Sequence, residues 1–234
     1  MNYNHLKCGA TVSKVGLGSP RPFRNQADDR AATTLIRAAI DFGITFFDTA
    51  PAYGYEATLA SGLSGLREQV LISTKTPHRL AVRAGWSTVT NRMVLRLEES
   101  LRLLKTDRID FYFLHAVSTN QYSRVVETVY GVLEKQQRLG KVRFLGVSED
   151  VPHDKDHIMQ LKALSDQLFD VIMVSKINRL APINNPRTSI IGMLADGALL
   201  EKHRVFDVIL TGTSNINHLK SNIHTMCGFD QEES

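Results

Sequence analysis

The feature that most limits what this chain can become is a recurrence of short apolar runs, each closed by turn residues. They fall at residues 15–18, 44–48, 70–75, 109–115, 142–148, 171–175 and 208–212. Such near-continuous Val, Ile, Leu and Phe runs suit strands of a parallel sheet covered on its outer face, whereas a solvated antiparallel sheet would alternate apolar and polar positions. Between the runs lie stretches with helical spacing: Ala32, Leu35, Ile36, Ala39 and Ile40, then Val94, Leu97, Ser100, Leu101 and Leu104. Further helices are expected over residues 56–66, 122–139, 154–168, 186–203 and 216–226. Strand and helix in strict succession argue for βα units and an α/β fold built as a parallel β/α (TIM-type) barrel.

The opening HLKCGATVSKVG reads as a small N-terminal hairpin turning at Cys8-Gly9-Ala10, placed to plug the lower end of the barrel. Counting gives about seven strand-helix units where a closed barrel of this kind has eight. The gap falls near Asn184, where APINNPRTSI leads directly into the expected helix. The barrel is therefore expected to be incomplete, with two exposed strand edges near Asn184 that a homodimer would cover.

Composition bears on partners and compartment. A chain of 234 residues, 43% hydrophobic and 22% charged, can bury one core, so a single domain over residues 1–234 is expected. The formal charge of +4 comes from scattered Lys and Arg with no block of like charge, which does not indicate a nucleic-acid partner. A mild positive surplus attracts a phosphorylated cofactor and equally describes an ordinary basic surface. Cys8 and Cys227 stand near opposite ends without CxxC spacing, so neither a disulfide framework nor a metal site is expected. No stretch approaches ~18 consecutive apolar residues and no export segment is evident, so a cytoplasmic protein without membrane contact is expected.

Asp48, Tyr53, Lys75 and His115 fall at or just after the C-terminal ends of the second, third and fourth runs, the face on which β/α barrels build active sites. A Lys ending LISTK points a charge into a low-dielectric mouth and needs a partner, for which Asp48 is placed. The positive charge beside Tyr53 favours negative charge on the phenol oxygen and makes it a better proton donor. His115, from the next strand, is placed to hydrogen-bond the same substrate oxygen.

The stretches GITFFDTAPAYG, LISTK, LRLLKTDRIDFYFLH, LGKVRFLGVS and TGTSNINHLKSNI, running in this order from about Val12 to Ile223, closely resemble the aldo-keto reductase family. The resemblance implies reduction of an aldehyde or ketone with hydride from NADPH, with Tyr53 as general acid, Lys75 and Asp48 as its tuning pair and His115 as the orienting group. It further implies Ser148 beside the nicotinamide amide, and Gly212, Thr213, Ser214, His218 and Asn222 around the adenosine phosphate and adenine. Thr213 and Ser214 stand where a helix begins and free N–H groups favour phosphate, although the same place suits ordinary capping by Ser214 or Asn215.

The chain departs from the family pattern at three places. Glu149 stands where Asn is usual, Met173 where Gln is common, and the segment around Asn184 is expected to lack the seventh strand with its phosphate-binding corner, which would lower NADP affinity. VGLGS lacks the third glycine of a dinucleotide fingerprint. His153 and His157 stand at a helix start among Asp residues, where capping explains them better than metal binding. Trp86 and His78 suit pocket walls around a small carbonyl substrate, and a surface Trp packing on Arg83 explains them equally well. Two alternatives stand beside the reductase: a non-redox lyase or isomerase using Tyr53 and Lys75 with Glu149 as an added base, and a catalytically inactive interaction subunit.

Overall fold

The computed structural model describes residues 1–24, 30–76, 88–150, 156–175, 185–193 and 205–228. Its first two strands, β1 (Tyr3–His5) and β2 (Thr11–Ser13), pair antiparallel with Tyr3 opposite Ser13. The Leu6 amide donates to the Ala10 carbonyl and the Gly9 amide to the Leu6 carbonyl, both at 2.8 Å, and Gly9 takes φ +86°, which a residue with a Cβ adopts only under strain. This is the hairpin expected from the sequence.

Eight parallel strands follow: β3 (Val15–Gly18), β4 (Phe46–Asp48), β5 (Leu71–Thr76), β6 (Ile109–Val117), β7 (Val142–Glu149), β8 (Val171–Val174), β9 (Ser189–Met193) and β10 (Val208–Thr211). They pair in sequence order, and β10 returns to β3 with Ile209 opposite Val15 and Thr211 opposite Leu17, closing the ring. The described outer helices are α1 (Arg30–Asp41), α2 (Glu56–Gly62), α3 (Val89–Leu104), α4 (Tyr122–Arg138), α5 (Ile158–Asp166) and α6 (Ile216–Gly228). None of the described helices is long and apolar enough to cross a membrane.

Closure corrects the expectation of an incomplete barrel. The seventh barrel strand is β9, within the stretch expected to be a helix over residues 186–203. Ser189 to Gly192 are buried, with Ile190 in the outer core and Ile191 among the inward-facing residues, the two-sided burial of a central parallel strand. Its run of apolar residues is too short for periodicity to separate strand from helix. Asn185 sets its start: its side-chain oxygen accepts the amides of Arg187 and Thr188 at 2.9 and 3.0 Å. With β9 paired on both sides, the two strand edges that motivated a dimer do not exist.

Alternation along each strand divides the core in two. Phe46, Phe111, Phe113, Val171, Met173, Ile191, Val208 and Leu210 point into the barrel, and Leu6, Ala10 and Val12 of the hairpin pack with them. The opposite faces of the strands meet the helices, as where Ala32, Leu35, Ile36 and Ala39 of α1 are buried at the predicted spacing. The hairpin sits on the N-terminal ends of the strands: the Lys7 amide donates to Ser189 Oγ, and the Ser13 amide to Thr45 Oγ1, each at 2.9 Å.

Glycine sets the fit of the inner core at β7. A Cβ on Gly146 would lie 2.5 Å from Phe113 Cε1 and 2.9 Å from Val171 Cγ2. Gly146→Ala is expected to lower stability by about 1–3 kcal/mol in urea unfolding. Adding Phe113→Leu should recover part of the loss, a result that additive effects of the two substitutions would contradict.

Candidate active site

The site grows from the last inward-facing residues of β4, β5 and β6, one pleat above the phenylalanines. Alternation puts Ser73 and Lys75 of β5 on the same face, toward Asp48 at the end of β4. Lys75 Nζ and Ser73 Oγ both donate to Asp48 Oδ1, and Lys75 Nζ also donates to the Thr49 carbonyl at 2.8 Å. Lys75 is 1% and Asp48 6% exposed. At that depth each charge requires the other, and removing one leaves an uncompensated ion in the core. Ser19 Oγ donates to the Asp48 carbonyl at 3.0 Å and ties the strand end to the loop after β3.

Tyr53 ends a single tight turn, Pro51–Tyr53, terminated by Gly54 at φ +58°. Lys75 Nζ lies 5.7 Å from the centre of its half-buried ring. The His115 ring meets the Tyr53 ring edge-on, with centroids 6.1 Å apart and planes at 90°. His115 reaches this position through an irregularity in β6: pairing with β7 shifts register between Leu114 and Val117, and Ala116 adopts φ +56°. The Ala116 amide donates to Ser148 Oγ at 2.9 Å, so a bulge aims the histidine and is held by the neighbouring strand. The structure thus brings Asp48, Tyr53, Lys75 and His115 to one place.

Sequence reasoning missed the fifth member. Arg24, after the turn at Arg21–Phe23, lays its guanidinium carbon 3.9 Å from the Tyr53 ring centre, and its Nε and Nη2 both donate to the Ser19 carbonyl at 3.1 Å. Nothing periodic marks such a loop residue. Ser73 was also missed, though its place two residues before Lys75 on a strand signals it.

Ser148, buried at the end of β7, accepts the Ala116 amide. Gly212, Thr213 and Ser214 follow β10, with Gly212 and Ser214 exposed and open space where a Gly212 Cβ would stand. Asn215 carries the capping anticipated for Ser214 or Asn215: its Oδ1 accepts the amides of Asn217 and His218 at 2.8 and 3.1 Å. Asn222 Nδ2 donates to Thr211 Oγ1 at 2.7 Å. Gly212, Thr213, Ser214, His218 and Asn222 therefore line the start of α6 beside the end of β10. An exposed glycine loop at the N-terminus of a thirteen-residue helix fits an anionic group.

Glu149 turns away from open space. Its side chain is buried and meets His157 Nδ1 at 2.5 Å, Gln160 Nε2 at 3.4 Å and the Ser175 amide at 3.3 Å, fastening β7 to α5 and to the end of β8. Met173 is fully buried in the inner core. His78, Trp86 and His153 lie outside the described residues.

A closed parallel barrel with an ionisable cluster at its C-terminal mouth defines the architecture of a β/α-barrel enzyme class. The Aldo/keto reductase family profile matches residues 14–184, and the chain belongs to that family. It is 31% identical over 219 residues to aldo-keto reductase YhdN of Bacillus subtilis, covering 83% of this chain and 62% of the relative. It is 33% identical over 149 residues to L-galactose dehydrogenase of Arabidopsis thaliana, covering 60% of this chain and 46% of that one. The chain thus spans between about half and three fifths of the length of these curated relatives. Among solved structures, PA4992 of Pseudomonas aeruginosa superposes with a TM-score of 0.74 at 27% identity, covering 96% of this chain and 94% of that one.

Behind the site, Glu56 of α2 is buried and accepts from Thr74 Oγ1 at 2.7 Å. Desolvation raises its carboxyl above the ordinary value, with the hydrogen bond from Thr74 opposing. A raised folded-state value means that the stability contributed by the protonated form is complete below the ordinary value of 4.5 and is lost as pH climbs through the raised one. Glu56→Gln is therefore expected to melt above wild type at pH 7, with the gap narrowing toward pH 4.5. A gap that does not change with pH would contradict this assignment.

Proposed function

We propose that this chain reduces an aldehyde or ketone to the alcohol with NADPH, Tyr53 delivering the proton. The observation that carries this reading is the assembly of Tyr53 between the Asp48–Lys75 pair and His115 at the C-terminal mouth of the barrel. A bound nicotinamide cofactor would supply the hydride to the carbonyl carbon. The protein's task is then to hold the carbonyl oxygen and give it a proton as negative charge develops there.

Tyr53 O–H is the donor in this reading. Lys75, fixed by Asp48 and the Thr49 carbonyl, sets a positive charge near the phenol and stabilises the negative charge left on it when the proton departs. The bulge at Ala116 holds His115 edge-on to Tyr53, in position to donate a hydrogen bond to the same substrate oxygen. Gly212, Thr213, Ser214, His218 and Asn222 would hold the adenosine phosphate end, with Ser148 nearer the nicotinamide. NADP is also the cofactor for which a relative, the NADP(+) aldo-keto reductase yakc of Schizosaccharomyces pombe, is named, at 27% identity over 149 residues.

Glu149 does not favour the non-redox alternative. Its carboxylate is engaged by His157, Gln160 and Ser175, leaving it poorly placed as a free base.

Titration with NADPH, followed by the cofactor's fluorescence, should show saturable binding that weakens in Asn222→Ala. In aldehyde-dependent NADPH oxidation, Tyr53→Phe is expected to lower kcat about 10²–10⁴-fold while leaving cofactor affinity and melting temperature nearly unchanged. Lys75→Met should lose activity and also about 3–5 kcal/mol of stability, because Asp48 is then buried without its partner. Full activity in Tyr53→Phe would remove the phenol from the mechanism.

A further inference from the structure

Arg24 is held in a way that leaves part of it available beside the proton donor. A guanidinium carries five N–H donors in a planar fork. Nε–H and one Nη2–H go to the Ser19 carbonyl, so the edge formed by Nη1 and the second Nη2–H keeps three donors. No carboxylate among the described residues forms an ion pair with Arg24. Asp48 at the mouth is already engaged by Lys75 and Ser73.

Two anchors fix the group. The Ser19 carbonyl grips one edge and the Tyr53 ring supports the flat face at 3.9 Å, so little side-chain freedom remains to be lost when a ligand binds. Ser19 also donates to the Asp48 carbonyl, so Arg24 is tied to the strand end that carries the buried ion pair. The guanidinium is thus held against the ring of the proposed proton donor.

We infer that Arg24 selects carbonyl substrates bearing a carboxylate close to the reacting carbonyl, such as 2-oxo or short-chain oxo acids. This rests on the reductase reading and adds the substrate class to it. A carboxylate matches the remaining Nη1/Nη2 edge in bidentate geometry, which an ammonium group in the same place would not reproduce. The net charge of +4 favours the approach of such an anion. A phosphate of bound NADPH would be the other anion able to meet this edge, and the experiment separates the two.

The test measures kcat/KM for glyoxylate and 4-oxobutanoate, each against its methyl ester, with wild type, Arg24→Gln and Arg24→Lys. Wild type should prefer the acid of at least one pair by tenfold or more. That acid-to-ester ratio should fall about 30-fold in Arg24→Gln, with Arg24→Lys between the two. Equal use of acid and ester by wild type overturns the proposal, as does an equal fall for both in Arg24→Gln, which would make Arg24 a support for Tyr53 alone. Weaker NADPH binding in Arg24→Gln with an unaltered acid-to-ester ratio also overturns it and assigns the arginine to a cofactor phosphate. If wild type turns over none of these carbonyls, the reductase reading fails by itself. Calorimetric titration with 4-oxobutanoate then decides the inference: binding lost in Arg24→Gln supports it, and binding unchanged or absent throughout sinks it.

Discussion

The mouth of this barrel depends on one buried ion pair. Lys75 and Asp48 come from adjacent strands and lie where the apolar interior gives way to the open end, each with almost no access to water. An ammonium and a carboxylate at that depth are tolerable only when they meet, so the pair fixes the relative height of β4 and β5 more tightly than packing alone would. Every other group of the site is placed relative to it. Tyr53 comes from the turn that follows Asp48, Ser73 completes the carboxylate's bonds, and Arg24 is tied through Ser19 to the Asp48 carbonyl. The bulge in β6 then brings His115 to the same point from the far side.

Much of this was legible in the sequence because it follows from two periodicities. Strand alternation made Lys75 an inward charge in need of a partner, and placed Asp48 to be that partner. Helical spacing put Ala32, Leu35, Ile36 and Ala39 on the buried face of α1, where they are found. The hairpin at Gly9 was readable from its turn residues. What failed was arbitration over a short run: Ser189 to Met193 has too few residues to display a period, and the apolar stretch after it suggested continuation as a helix. Recognising the Asn185 turn as a strand entrance would have supplied the eighth strand and closed the ring.

Arg24 and the Glu149–His157 contact escaped for a different reason. Both depend on where loops return in space, and a loop has no repeating pattern that announces which side chain it will lay against which ring. His157 itself adopts φ +54° at the start of α5, a backbone state that composition does not signal. Glu149 therefore read as a free charge beside the site, whereas the fold uses it to join β7, α5 and the end of β8.

The closing pair of strands has a consequence for how the protein comes into being. Val15 meets Ile209, so the first barrel strand made by the ribosome finds one of its two neighbours only when nearly the whole ring has been synthesised. Until then β3 has an unsatisfied edge on that side, as does whichever strand was completed last. Asp48, Lys75 and His115 of β4 to β6 are all on early strands, yet the ring around them closes only when β10 arrives. Maturation of the site is in this sense a late event governed by the pairing of the first barrel strand with the last, and the interval before it is when the nascent protein most needs protection from its neighbours.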